Sequence, residues 1–399
     1  IVSTGAGAVA DDLEVSEDFV GVDYDTSVAG NDVLLELIPA FERPTHTHNQ
    51  RAVGAHFNDI LNNGGSAGLA PLFTLAGNIQ DEDELAAFLD RLHPEPYLAA
   101  VSTSYQASLA FTQDLMSCPE AGEGGSLNNE GECYWARANH RYFKQYSNNG
   151  FIGFDENASS LSGGFQKSIG TNLFAGFSAG VDFNRTYIDD RADMKGVRLM
   201  AGGVLKYEDG PLLLAGALSG GAGWFDMDRY VDLPTPGLTA ESRINDAFAT
   251  VDMRAAYTIS NGAWHVKPIL DVSATHVHLG SFSETGAGAQ NLVSSGTDET
   301  FFNLRPSLEI GGLVTKQNGT SIHGFVRAGL LYSPDTEMKL SASFEGTPAN
   351  VAPFEVESKF DNTFADLSAG LYLNTENGVT VRFGYDGLFS ANSASHRGS

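Results

Sequence analysis

The chain is poor in positive charge: 23 Lys and Arg stand against 50 Asp and Glu over 399 residues, a formal net charge of -27. A polyanion of this size repels nucleic-acid backbones, which excludes DNA and RNA as partners. A second lack is of long apolar runs, since no stretch approaches the roughly 18 unbroken apolar residues of a transmembrane helix. The mean hydropathy of -0.14 is correspondingly bland. It leaves β-barrels open, because they cross membranes on alternating strands of about ten residues. Cysteine is scarce: only Cys118 and Cys133 occur, bracketing a polar segment. Such a pair closing one small loop reads as a disulfide from an oxidising compartment, worth about 3 kcal/mol for a loop of about 15 residues. The alternatives are two free thiols, or a metal site that two thiolates alone would not complete. The start, Ile1-Val-Ser-Thr-Gly, lacks the charged and apolar stretches of a signal peptide, so an exported protein with this sequence would be part of a longer one.

What is present is globular in character, with 42% hydrophobic residues and 45 Gly. The acid is concentrated before Cys133, where 22 Asp and Glu accompany three Arg and no Lys. That reads as solvated acidic surface, with divalent-cation binding as the alternative.

Four regions separate by pattern. Residues 1–48 carry short β-type runs, Phe19-Val-Gly-Val and Val33-Leu-Leu-Glu-Leu-Ile, suited to strands or β-solenoid coils, and then a linker, Glu42-Arg-Pro-Thr-His-Thr-His. From Asn49 the apolar period becomes helical (Ala52, Val53, His56, Phe57, Ile60, Leu61) and stops at Asn62-Asn63-Gly64-Gly65. A second helix fits Asp81 to Leu92, with an acidic first turn at the positive end of the helix dipole. A third fits Tyr97 to Met116. At 1.5 Å per residue it spans about 30 Å, and its Ala, Ser and Thr suit a narrow channel.

After Tyr134 strand-length alternations take over, punctuated by Asn148-Asn-Gly, Asp209-Gly, Asn261-Gly, Asn318-Gly and Asn377-Gly, strong hairpin signals. In 171–184 the row Leu173, Phe177, Val181, Phe183 opposes Asn172, Ser178, Gly180, Asp182. In 301–312 Phe302, Leu304, Leu308, Ile310 oppose Asn303, Arg305, Ser307, Glu309. A soluble sandwich would alternate in the same way. Strand length favours a membrane barrel, as do mid-strand charges on the polar side and aromatics (Tyr207, Trp224, Tyr257, Trp264, Tyr332) near strand ends.

Three stretches carry a resemblance. Asn49-Gln-Arg-Ala-Val-Gly-Ala-His, followed by Glu84-Leu-Ala-Ala-Phe-Leu-Asp-Arg-Leu-His-Pro-Glu-Pro-Tyr97, is similar to the helical junction before type V secretion autotransporter barrels. Cys118-Pro…Glu130-Gly-Glu-Cys-Tyr-Trp-Ala-Arg137 resembles the lead-in to their first strand, and Gly384-Tyr-Asp-Gly-Leu-Phe-Ser390 their penultimate strand. The resemblance implies an all-β, up-and-down antiparallel transmembrane barrel of the twelve-stranded type in the bacterial outer membrane, exporting or displaying an N-terminal passenger. Its partners would be that passenger, the barrel-assembly machinery, periplasmic chaperones and outer-membrane lipid. It implies this division: 1–48 end of passenger and linker, 49–117 helical junction with plug helix 97–116, 118–133 disulfide-closed loop, 134–399 barrel. About eleven strands are countable and the family's aromatic-ended twelfth is not evident after His396, so an unclosed sheet is expected. The competing reading is a porin-like channel, or a surface enzyme or adhesin on a barrel.

The candidate site is a lumenal charge network: Arg198, Arg254, Arg305, Arg327 and Arg382 with Asp182, Asp252, Glu309, Asp366 and Asp386. Such groups tune selectivity, grip a plug, or simply pair to hold the wall. No catalytic, cofactor or metal residues are expected. His46/His48 and His276/His278 are i, i+2 pairs, which in a strand would share a face and could bind a metal, but each lacks a clear third ligand. His265, Asp271 and a Ser lack any nucleophile-elbow context. Asn62-Asn63-Gly64 is chemically labile but too far upstream of the plug helix for processing inside a barrel.

Overall fold

The computed structural model describes residues 2–3, 19–29, 32–116, 118–120, 129–317, 320–375 and 377–399. Twelve antiparallel strands build one sheet: β1 (Cys133–Gln145), β2 (Phe154–Gly170), β3 (Leu173–Ile188), β4 (Ala192–Asp209), β5 (Leu212–Tyr230) and β6 (Thr239–Tyr257). They continue as β7 (Trp264–Leu279), β8 (Thr297–Gln317), β9 (Thr320–Tyr332), β10 (Thr363–Asn374), β11 (Thr380–Phe389) and β12 (Ser393–Gly398). Each strand pairs with the next, and β12 pairs with both β11 and β1. The ring is therefore closed, which corrects the expected open sheet. Tyr385–Phe389 and His140–Gln145 are bridged by six residues that carry no hydrophobic run, so an apolar-alternation count passes over them. Ser399 and Gly384 exchange backbone hydrogen bonds just below.

Inside–outside alternation holds along the strands. The outward row of β7 runs Trp264, Val266, Leu270, Val272 and then turns polar at His276 and His278; that of β8 runs Ile310, Leu308, Leu304, Phe302 and then Thr300 and Asp298. A band about ten residues tall is thus apolar, and the strands project beyond it on one side. All five aromatics singled out from sequence face outward.

The two rims differ. At the lower rim the connections are tight: Gly210–Pro211 joins β4 to β5, with φ 56° at Gly210, and Gly262 sits at φ 63° between Asn261 and Trp264. Asn318-Gly lies outside the described residues. Asn149 and Gly150, at φ 52° and 84°, make the two positive-φ positions of a hairpin turn, but in the β1–β2 loop at the upper rim.

Above that rim stands a compact cap. It contains α1 (His48–Asn62), α2 (Ala70–Gly77) and α3 (Glu82–Asp90), packed on four short strands from the β7–β8 and β9–β10 loops (Phe282–Ser283, Leu292–Ser294, Glu337–Phe344, Phe354–Lys359). Helix α1 opens on a Thr47–Gln50 capping box and α3 on Asp81, which caps Glu84. Phe57 gathers the cap core, with Phe73 at 5.0 Å and Phe41 and Phe344 each at 5.8 Å between ring centroids. The segments Val22–Ala29 and Asp32–Pro39 pair antiparallel as a hairpin, not as solenoid coils. From the cap, α4 (Leu98–Leu115) descends through the lumen, touching β2 to β7. It is buried on nearly every side, which its small residues permit: Ala99, Ala100, Ser102, Ser104, Ala107 and Ser108.

Gly54 lets α1 meet the backbone of Phe41, whose carbonyl carbon would lie 2.7 Å from an added Cβ. Gly54→Ala is predicted to loosen the cap by about 1–3 kcal/mol through overpacking. Limited proteolysis should show the cap cut earlier while the barrel keeps its folded electrophoretic mobility.

Candidate functional site: the plugged lumen

Helix α4 is fastened at three levels by side chains the strands point inward. At the top, the Tyr97 hydroxyl lies 2.8 Å from Ser242 Oγ and donates to Glu284 at 2.7 Å, and its ring stacks on Phe282 at 3.9 Å. Glu284 is held in turn by a two-pronged contact from buried Arg229, both distances 2.7 Å. Midway, Tyr105 bonds Asn303 at 2.5 Å, and Thr112 and Ser219 are 2.9 Å apart. At the bottom, Asp114 receives Arg137 from β1 and Arg397 from β12, with Asn139 at 3.1 Å. Lys206 donates to the Met116 carbonyl at 2.9 Å, where the dipole of α4 ends negative, and pairs with Glu130 at 2.6 Å. Immediately beyond, Cys118 and Cys133 form a disulfide that ties the exit of the plug to the start of β1.

The candidate charges all face inward, and most are paired. Arg198 binds Asp246 at 2.5 Å and lies 3.6 Å from Asp182; Arg254 binds Asp271 at 2.7 Å; Arg305 binds Asp366 at 2.6 Å. Arg327 lies 3.7 Å from Asp386, and Glu309 lies 3.3 Å from His265. Asp252 has no ion-pair partner among the described residues but lines the space beside Arg254 and Arg305. Arg382 is held by rings, 5.8 Å from Phe325 and 5.7 Å from Tyr372. Sequence reasoning placed Asp182, Asp366 and Asp386 among the candidates but missed Asp246, Asp271 and His265 as partners. Arg141 and Glu156, 2.9 Å apart, sit at inward parities of β1 and β2 and were readable by the same alternation. Asp114 was not, since a helix buried on all sides shows no preferred face.

The other candidates scatter. His276 and His278 face outward and share Asp298, at 3.3 and 2.8 Å. His46 is buried in the cap, and among the described residues no cluster of three metal-binding side chains occurs. Asn62-Asn63 ends α1 above the barrel, and Asp271 is committed to Arg254 while His265 lies against Glu309.

The motif residues of the junction tie the cap to the barrel. Buried Glu95 accepts from Asn49 Nδ2 at 2.7 Å and from the Ile152 backbone N–H at 2.8 Å. Asn49 also exchanges bonds with the Glu357 backbone at 2.8 and 2.9 Å. Gln50 closes the capping box and reaches Asp90 at 3.0 Å. Burial pushes the Glu95 carboxyl up, and His93 and these donors oppose it.

Among known proteins, the autotransporter β-domain family profile matches residues 134–386. The structure is similar to the translocator domain of autotransporter NalP from Neisseria meningitidis (15% identity, 74% of this chain, 95% of that one, TM-score 0.57). It is also similar to the β-domain of the Bordetella autotransporter BrkA (15% identity, 68% of this chain, 100% of that one, TM-score 0.50). At these identities the likeness is one of fold. No curated protein matches the sequence.

Two outcomes follow from this geometry. Asp114→Asn should strand two guanidinium groups and free the lower end of α4 at a cost of about 3–5 kcal/mol; in planar bilayers, openings should become more frequent than in an Asp59→Asn control on the cap surface. The second concerns His56, 3.0 Å from Thr347 Oγ1 and 4.8 Å from the Phe354 ring centroid. Burial lowers its pKa from 6.5 to about 4, against a weaker opposing pull from Asp59. The unfolded cap therefore takes up a proton that the folded cap refuses. Its stabilisation is complete above pH 6.5 and falls between pH 6.5 and 4, by about 3 kcal/mol at most. Cap unfolding followed by proteolysis across that range should show the fall, and His56→Phe should flatten it.

Proposed function

The chain belongs to the autotransporter β-domain family, and on that premise we propose that it displays its own N-terminal segment on the cell surface and remains attached to it. An outer-membrane barrel of this family exports a linked passenger, and its barrel domain is not catalytic. The finer reading assigns residues 1–48 to the end of the passenger and its linker, 49–117 to the junction and 97–116 to the plug. It assigns 118–133 to a loop locking plug to wall, and 134–399 to the anchor. Assembly would draw on periplasmic chaperones and the barrel-assembly machinery, as for other barrels inserted with closed edges. The lumenal charges act here as wall braces and as the grip on α4, without enzymatic work.

One observation carries this reading: the chain threads the closed ring. The start of β1 and the disulfide lie at the short-turn rim, whereas the described residues before Tyr97 lie at the long-loop rim. Tight turns face the periplasm and long loops the exterior in outer-membrane barrels. With α4 filling the lumen, the geometry suits a finished translocator better than an open porin. The test is an epitope inserted near Glu42 and another at Gly210, probed on intact cells. Antibody and protease should reach the first and not the second; protection of the first would contradict display.

A further inference from the structure

Beside the last turn of α4, toward the lower rim, the lumen keeps a cavity of about 110 Å³. At roughly 30 Å³ per water molecule this is room for three or four waters or one tetrahedral oxyanion. We propose that it binds a small oxyanion of the phosphate or sulfate class through Arg382 and His323.

Strand register assembles these groups. Arg382 on β11, Tyr372 on β10 and His323 on β9 form one lateral row facing inward. Two steps up, Gly384 and Gly370 stand beside Phe325, and two further up Arg327 shares its row with Ser368 and Asp386. Gly370 allows the Phe325 ring to lie flat on the wall, since a Cβ there would meet the ring at 2.5 Å. The ring thus stays out of the cavity and lies near the Arg382 guanidinium together with Tyr372. Among the described residues no carboxylate lies within 4.0 Å of Arg382, and its Nε has no hydrogen-bond partner. A guanidinium stabilised through its faces keeps its N–H edge for a planar or tetrahedral oxyanion.

A second group stands without a partner at the same cavity. His323 is only 3% exposed; its Nε2 meets Ser321 at 3.2 Å while its Nδ1 has no partner. Arg327 stays with the wall: it donates a terminal nitrogen to Ser368 at 3.0 Å and lies 3.7 Å from Asp386. Buried polar groups without partners are costly, and one bound oxyanion would accept from the Arg382 edge and from His323 in its Nδ1-protonated tautomer. The carboxylates that also line the cavity are already engaged: Asp114 by Arg137 and Arg397, Glu130 by Lys206, Glu309 by His265 and Asp386 by Arg327. The binding proposed is independent of passenger export, since it needs only the closed barrel.

Calorimetric titration of the folded full chain in detergent, at low ionic strength, with inorganic phosphate and with sulfate, tests this. Saturable one-to-one binding of either ion is expected, weakened at least tenfold by Arg382→Gln and by His323→Gln and less by Arg382→Lys, which keeps charge but loses the fork. Arg185→Gln on the outer wall should bind as the unaltered chain does. Folded electrophoretic mobility qualifies each variant, and either glutamine variant suffices if the other misfolds. Absence of saturable heat, displacement by chloride at equal concentration, or unchanged affinity in the folded glutamine variants would overturn the proposal.

Discussion

Hydrocarbon offers backbone N–H and C=O groups nothing to bond with, and each one left unmet costs several kcal/mol. A sheet that lives there must return on itself, and the rest of this molecule follows from that closure. Here the returning piece is β12, whose six residues bond to β1 on one side and β11 on the other. Closure fixes an outside and an inside for every strand, so side-chain parity becomes destiny: Leu, Val, Ile and Phe on one face, Arg, Asp, Asn and Ser on the other.

A polar interior poses its own problem, because charges enclosed by a wall lose water and need partners. The wall answers with cross-strand pairs such as Arg305–Asp366 and Arg254–Asp271, at 2.6 and 2.7 Å. The plug answers with a helix of small residues whose few long polar side chains meet complementary groups at three heights. Arg397 links both solutions, since the strand that closes the ring also supplies a guanidinium to Asp114. Cap and barrel are joined by the same economy at Glu95, where one buried carboxylate joins α1 to the first upper loop.

Much of this was legible in the sequence because strand parity is a period of two and survives without tertiary information. The outward rows, the inward arginines, the lower-rim Gly turns at 210 and 262, the disulfide and helices α1, α3 and α4 all read from local pattern. What escaped was set by distant partners. Helix α2 is eight residues with a Pro in its first turn and no side-chain cap, so nothing local marks it. The short cap strands at Glu337–Phe344 and Phe354–Lys359 do alternate (Met338, Leu340, Ala342, Phe344; Phe354, Val356), but only the fold sets them apart from the barrel wall, as part of the cap core. Strand β12 carries Ser, His and Arg where an apolar alternation was sought, and its identity comes only from the two edges that it bridges. Asp246 and Asp114 were unreadable as partners for the same reason, since each meets an arginine on an element that does not adjoin it in sequence, Arg198 and Arg397. Asp271, by contrast, faces Arg254 across one hairpin and was open to a parity reading.

The central claim is that parity separates lipid from lumen, and the three tryptophans test it directly. Trp264 and Trp224 are outward, 55% and 53% exposed, while Trp135 stands at the inward parity beside Arg137. Single-tryptophan versions reconstituted into bilayers with brominated acyl chains should show strong quenching of Trp264 and Trp224 fluorescence and weak quenching of Trp135. Equal quenching of all three, or preferential quenching of Trp135, would contradict the account.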